Sequence, residues 1–257
     1  MSRLQKLFQQ QGKKKVLNVY CTAGFPELES TLEVMQALQA HGASIIELGI
    51  PYSDPLADGP VIQASGSRAL DNGMSIARLF EQLKDFRNTV HVPVVLMGYL
   101  NPVLQYGFER FCADAARVGI DGLILPDLPL YEFETVYGSI IKKHGLDFIF
   151  LVTPETSEER IRKVDALSSG FVYAVSSSTT TGGDKDFAPI ESYLQKLQQM
   201  QLRNPILVGF GIKDKQSFDA ASQYAAGGII GSAYIKALQQ GGTINEATKE
   251  FLNRILQ

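Results

Sequence analysis

The chain has 257 residues, 45% hydrophobic and 20% charged, with a formal charge of −3. These proportions are ordinary for a soluble globular protein, and the net charge leaves no basic footprint of a nucleic-acid binder. Two cysteines, Cys21 and Cys112, form neither a metal-type spacing nor a disulfide framework, which fits a reducing, cytoplasmic compartment.

Met1 to Gln11 is amphipathic and rich in Gln, without a long apolar core. It predicts an extra N-terminal helix rather than a signal peptide or a membrane span. Lys13-Lys14-Lys15 reads as a solvated end before the first strand. Eight short apolar runs follow: Val16–Tyr20, Ser44–Leu48, Val92–Met97, Gly122–Leu125, Phe148–Val152, Phe171–Val175, Ile206–Val208 and Gly228–Ile230. Between them lie amphipathic stretches near Leu28–His41, Ile76–Phe86, Phe108–Val118, Tyr131–His144, Glu158–Leu167, Pro189–Gln201 and Lys215–Tyr224, and another near Thr243–Leu256. Eight strand–helix units in unbroken order, with no Pro/Ser-rich linker, predict parallel strands joined by helical crossovers. The expectation is an α/β fold, a single (β/α)8 TIM barrel over residues 1–257. An open doubly wound sheet is the alternative, but the first strand is not followed by Gly-x-Gly-x-x-Gly.

A barrel of this kind builds its site from loops at the C-terminal ends of its strands. After strand two, Glu47 ends an apolar run and is followed by a loop carrying Asp54 and Asp58. A carboxylate ending a buried strand is costly unless it is paired or used. Asp58 is balanced between a site role and a turn before Gly59-Pro60. Asp54 reads more readily as a turn residue, and Asp127 in Pro-Asp-Leu-Pro is ambiguous in the same way. Gly209-Phe210-Gly211 and Gly231-Ser232 follow strands seven and eight, where barrels often hold phosphate at the N-terminus of a short helix. Gly182-Gly183 after strand six would close a third side. Tyr20, Tyr99, Tyr173 and Phe210, at or just past strand ends, together suit a flat aromatic pocket. The three histidines, His41, His91 and His144, fall away from these loops, which argues against a histidine base or a His-ligated metal. The residues therefore suggest carboxylates working on a phosphate-bearing, partly aromatic substrate, a lyase or isomerase rather than a hydrolase.

The run Glu47-Leu48-Gly49-Ile50-Pro51-Tyr52-Ser53-Asp54-Pro55-Leu56-Ala57-Asp58-Gly59-Pro60 resembles the signature of the tryptophan synthase alpha subunit family. Met97-Gly98-Tyr99-Leu100-Asn101-Pro102, Pro126-Asp127-Leu128-Pro129, Gly209-Phe210-Gly211-Ile212 and Gly231-Ser232-Ala233 match in family order. The resemblance implies cleavage of indole-3-glycerol phosphate to indole and glyceraldehyde 3-phosphate, with no cofactor in this half-reaction. It also implies a pyridoxal-phosphate beta subunit as partner, in an alpha2-beta2 complex that passes indole through a tunnel. Under it Glu47 is the acid–base group, Asp58 holds the indole N–H, and Tyr173 lies near Glu47. Tyr99 and Phe210 line the pocket, to which the strand-end reading adds Tyr20, while Gly182, Gly211, Gly231 and Ser232 bind phosphate. Thr181 contacts the aspartate when the strand-six loop closes, and Asp54 and Asn101 face the beta subunit. One departure stands out: Thr179-Thr180-Thr181-Gly182 occupies the place where many members read Gly-Val-Thr-Gly, which restricts the backbone of that loop. A noncatalytic activating subunit, a free-standing indole-glycerol-phosphate lyase and another phosphosugar barrel are the competing readings.

Overall fold

Among the residues described by the computed structural model (1–10, 12, 15–175, 188–209 and 211–257), nine short strands form one all-parallel sheet. They are β1 (Val16–Thr22), β2 (Ile45–Gly49), β3 (Val94–Met97), β4 (Gly122–Ile124), β5 (Asp147–Phe148), β6 (Leu151–Val152), β7 (Val172–Val175), β8 (Ile206–Gly209) and β9 (Gly227–Ile230). The order is β5-β4-β3-β2-β1-β9-β8-β7-β6. Its two ends, β5 and β6, belong to one short segment, so the sheet closes on itself as a (β/α)8 barrel. An open doubly wound sheet is excluded.

The fifth expected strand is thus interrupted. Ile149 N–H still donates to the Leu123 carbonyl on one side, and Tyr173 N–H to the Phe150 carbonyl on the other, both at 3.0 Å. At the interruption, serines from the far end of the next helical crossover meet the strand. Phe148 N–H donates to the Ser169 hydroxyl at 3.0 Å and Phe150 N–H to the Ser168 hydroxyl at 3.4 Å, so side chains replace ladder carbonyls there.

Strands buried on both faces read as apolar runs, because helices cover the outside while side chains fill the inside. The barrel floor is one such layer: Val16, Ile45, Val95, Ile124, Ile149, Phe171, Leu207 and Ile229, one residue from each stave. The expected N-terminal helix, Arg3–Gln10, closes it from below. Leu4 belongs to the floor cluster and is fully buried. Arg3 pairs with Asp121 at 3.0 Å, and the Phe8 and Phe171 rings lie 6.2 Å apart.

Two helices depart from the sequence expectation, and both shape the mouth. Pro60–Asp71 follows β2, with Pro at its first position and Gly59 as its N-cap. It buries only Ser65, Gly66 and Ala69, a face too small to produce an apolar stripe. Leu100–Tyr106 follows β3 and carries Pro102 in its first turn, where proline is tolerated. Its start is pinned by Asp127, whose two carboxylate oxygens accept from Leu100 N–H at 2.9 and 3.0 Å. That contact gives Asp127 a structural role. Phe108–Val118 and Glu158–Leu167 run as expected. No helix among the described residues is long and apolar enough to cross a membrane.

Candidate active site

Glu47 sits in the middle of β2, paired across from Tyr20 of β1 and Val95 of β3. Ile45, two residues earlier, is in the floor layer, so the two-residue period of a strand carries Glu47 one step up the same interior face. It is 1% exposed. Burial pushes its carboxyl up to about 8; the Asn18 amide, donating to Oε2 at 2.9 Å, pulls the other way, and the nearby Asp58 charge raises it further. A carboxyl held there exchanges protons near neutral pH, as a group serving as both acid and base must.

Asp58 lies two residues before the helix Pro60–Asp71 and is half-buried. Burial raises its proton affinity, opposed by a hydrogen bond from the Tyr99 phenol. The same phenol oxygen accepts from Ala57 N–H at 3.0 Å, so Tyr99 ties down the stretch that carries Asp58. Tyr52 packs on Tyr99 with ring centroids 5.5 Å apart, and its hydroxyl accepts from Asn101 Nδ2 at 3.1 Å. Asn101 is exposed, so contacts run inward from the outer rim to Asp58.

Tyr20 and Tyr173 complete the inner wall. Burial raises both phenols, and the charges of Asp58 and Glu47 raise them further. The two rings occupy space that only glycine leaves. A Cβ at Gly49 would lie 2.1 Å from the Tyr20 hydroxyl, and one at Gly209 would lie 2.3 Å from the Tyr173 ring. Gly209→Ala is therefore expected to displace Tyr173 and lower stability by about 1–3 kcal/mol in urea unfolding. An unchanged midpoint would mean that the ring is free to move aside.

On the neighbouring strand end after β9, Gly231 is the N-cap of the helix Ser232–Gln239, and Ser232 is exposed in its first turn. The first amides of a helix lack intrahelical acceptors and carry partial positive charge. Gly231 lies beside Tyr20, one residue beyond the Val19–Ile230 pair of the β1–β9 register, and a Cβ there would stand 3.6 Å from the Tyr20 Cβ. Gly211 has φ +44°, a left-handed conformation suited to glycine, and is exposed beyond β8. Thr181, Gly182 and Phe210 lie outside the described residues. Asp54 is exposed on the same rim as Asn101.

The structure thus brings Glu47, Asp58, Tyr20, Tyr99 and Tyr173 to one mouth, with Gly231 and Ser232 beside them. Sequence reasoning missed Asn18 and Tyr52. Asn18 carried a signal, a lone amide inside the run Val16-Leu17-Asn18-Val19-Tyr20. Tyr52 carried none beyond lying in the acidic loop.

A profile of the family described as tryptophan synthase alpha chain matches residues 6–255. The tryptophan synthase alpha chain of Parabacteroides distasonis is 49% identical over 258 residues, covering 100% of both chains. That of Flavobacterium johnsoniae is 48% identical over 244 residues, 95% of this chain and 96% of the relative. Among solved structures, tryptophan synthase subunit alpha from Legionella pneumophila matches with a TM-score of 0.91 at 35% identity, covering 99% of this chain and 97% of that one. A chain of the tryptophan synthase from M. tuberculosis, in an aminoacrylate-bound form, matches with a TM-score of 0.86 at 32% identity, covering 99% of this chain and 100% of that one.

Proposed function

The chain belongs to the tryptophan synthase alpha chain family, and from that premise we propose that its barrel, taken as one domain over residues 1–257, cleaves indole-3-glycerol phosphate to indole and glyceraldehyde 3-phosphate. The observation that carries this reading is Glu47, a buried carboxyl that titrates near neutral pH between Tyr20 and Tyr173, with a second carboxylate, Asp58, nearby.

Glu47 protonates indole C3, which leaves positive charge on the ring nitrogen. Asp58 accepts the indole N–H and stabilises that charge as it develops. Glu47, now ionised, takes the proton of the glyceryl hydroxyl on the carbon attached to C3. The C3–carbon bond breaks, its electron pair returns to the ring, and the hydroxyl carbon becomes the aldehyde. Both of Glu47's roles need a carboxyl whose two protonation states are close in energy. Tyr20, Tyr99, Tyr173 and Phe210 bound the indole. Amides at Gly182, Gly211, Gly231 and Ser232 hold the phosphate, with Thr181 orienting Asp58 over the closed site.

The partner in this reading is a beta subunit that receives the indole, in an alpha2-beta2 assembly. The rim around Asp54 and Asn101 supports it through its exposed apolar groups. Leu56 is 84% exposed, Tyr131 71% and Leu104 43%, on loops or helices following β2, β4 and β3. Leu56→Glu is expected to weaken beta-subunit binding by at least about tenfold, the loss of one buried anchor, while cleavage by the isolated chain stays within about twofold. Equal binding by titration calorimetry would remove Leu56 from the interface.

The deciding experiment is release of glyceraldehyde 3-phosphate from indole-3-glycerol phosphate by the isolated chain, with and without beta subunit. Cleavage that rises with beta subunit is the expected result. No cleavage in either case, with beta-subunit activation intact, would leave a noncatalytic activating subunit.

A further inference from the structure

β1 presents the barrel interior with an unusual column. Val16 belongs to the floor layer, and the two-residue strand period places Asn18, Tyr20 and Thr22 above it on the same face. Asn18 is fully buried. Its Nδ2 reaches from one strand to the next and donates to Glu47 Oε2 at 2.9 Å, across 29 residues of sequence. Its Oδ1 is buried and has no hydrogen-bond partner among the described residues. A half-satisfied amide is a costly occupant of a barrel interior, where Val would bury without penalty. The cost is offset only at the donor end, which meets Glu47.

We propose that Asn18 is the positioning residue of Glu47: its amide holds Oε2 in place, so that Oε1 is the oxygen that trades protons with the substrate in both directions. The proposal rests on the reading of Glu47 as the acid–base group. A free carboxylate has two equivalent oxygens on a rotatable bond, and one fixed donor removes that equivalence. Oε2 remains an acceptor whether Glu47 is ionised or protonated on Oε1. The contact therefore survives each proton transfer, and the side chain need not reorient between C3 protonation and hydroxyl deprotonation.

The same contact favours the ionised carboxylate. Among the described residues, the titratable groups around Glu47 are Asp58 from the loop after β2, Tyr20 and Cys21 from β1, and Tyr173 from β7. Burial holds the two phenols and the thiol neutral, and Asp58 adds a charge that opposes ionisation. Asn18 acts against both burial and Asp58.

The test is Asn18→Val, with Asn18→Ala as a second variant that leaves the strand uncrowded. The protein is labelled with 13C at the glutamate carboxyl, and the Glu47 signal, identified by its loss in Glu47→Gln, is titrated by NMR. Loss of the donor is expected to raise the Glu47 midpoint by about one pH unit or more. The corresponding inflection in the pH profile of kcat is expected to move up with it. Loss of positioning is expected to lower kcat by about 10- to 100-fold, with KM changing less than about threefold. A midpoint within about 0.2 unit of the parent and an unchanged kcat, in either variant with a parental melting curve, would overturn the proposal. The NMR midpoint needs no substrate. A raised midpoint in a protein whose parent does not cleave indole-3-glycerol phosphate would retire the proposed reaction but keep the Asn18–Glu47 coupling. An unchanged midpoint with cleavage intact would retire Asn18 alone.

Discussion

Glu47→Gln is expected to lower cleavage by about 10²–10⁴-fold, the range set by loss of a general acid–base group, and at its upper end because in the proposed reaction one carboxyl serves two proton transfers. The amide keeps the shape of the side chain and can still accept from Asn18, so substrate binding is expected to persist. Measured kcat carries the test, and near-normal turnover would remove Glu47 from the chemistry.

The same variant has a second expected signature, in stability. Glu47 titrates at about 8 in the folded chain against an ordinary value of 4.5. Between those pH values the unfolded chain has released this proton while the folded chain retains it. Stability therefore falls as pH rises through that window and levels off above it. Gln has no proton to lose. Relative to Glu47→Gln, the parent is expected to lose on the order of a few kcal/mol between pH 4.5 and 8 in urea unfolding. Parallel stability curves for the two proteins across this window would mean that Glu47 is ionised in the fold without penalty.

Asp58→Asn is expected to lower kcat by about 10²–10³-fold, the typical loss when one preorganised group aimed at developing charge is removed. KM is expected to change little, because in the proposed reaction the indole ring gains positive charge on the way to the transition state rather than on binding. The substitution also removes a charge that raises Glu47's proton affinity, so the inflection assigned to Glu47 is expected to move to lower pH. A raised KM at constant kcat would make Asp58 a binding residue only.

Much of this architecture was legible in advance because barrel strands and helices announce themselves locally. Val16–Thr22 and Val172–Val175 are apolar runs, and Phe108–Val118 repeats its buried Phe108, Phe111, Cys112, Ala115 and Val118 at helical spacing. The helices Pro60–Asp71 and Leu100–Tyr106 were not legible. The first buries small residues and the second depends on Asp127 from the following unit, a contact that local pattern does not contain. The split of the fifth strand is of the same kind, since Ser168 and Ser169 sit beyond the helix that follows it.

The sequence by itself determined the order of the units, the burial of the strands, and the placing of Glu47, Asp58 and the glycine loops at one end, because alternation and chain polarity already dictate which strand ends share a face. Only the tertiary structure decided the proton affinity of Glu47. That quantity depends on desolvation by the closed barrel, on Asp58 returning within electrostatic reach, and on the β1–β2 register that brings Asn18 Nδ2 to Oε2. These are distances between segments far apart in the chain, and no local pattern encodes them.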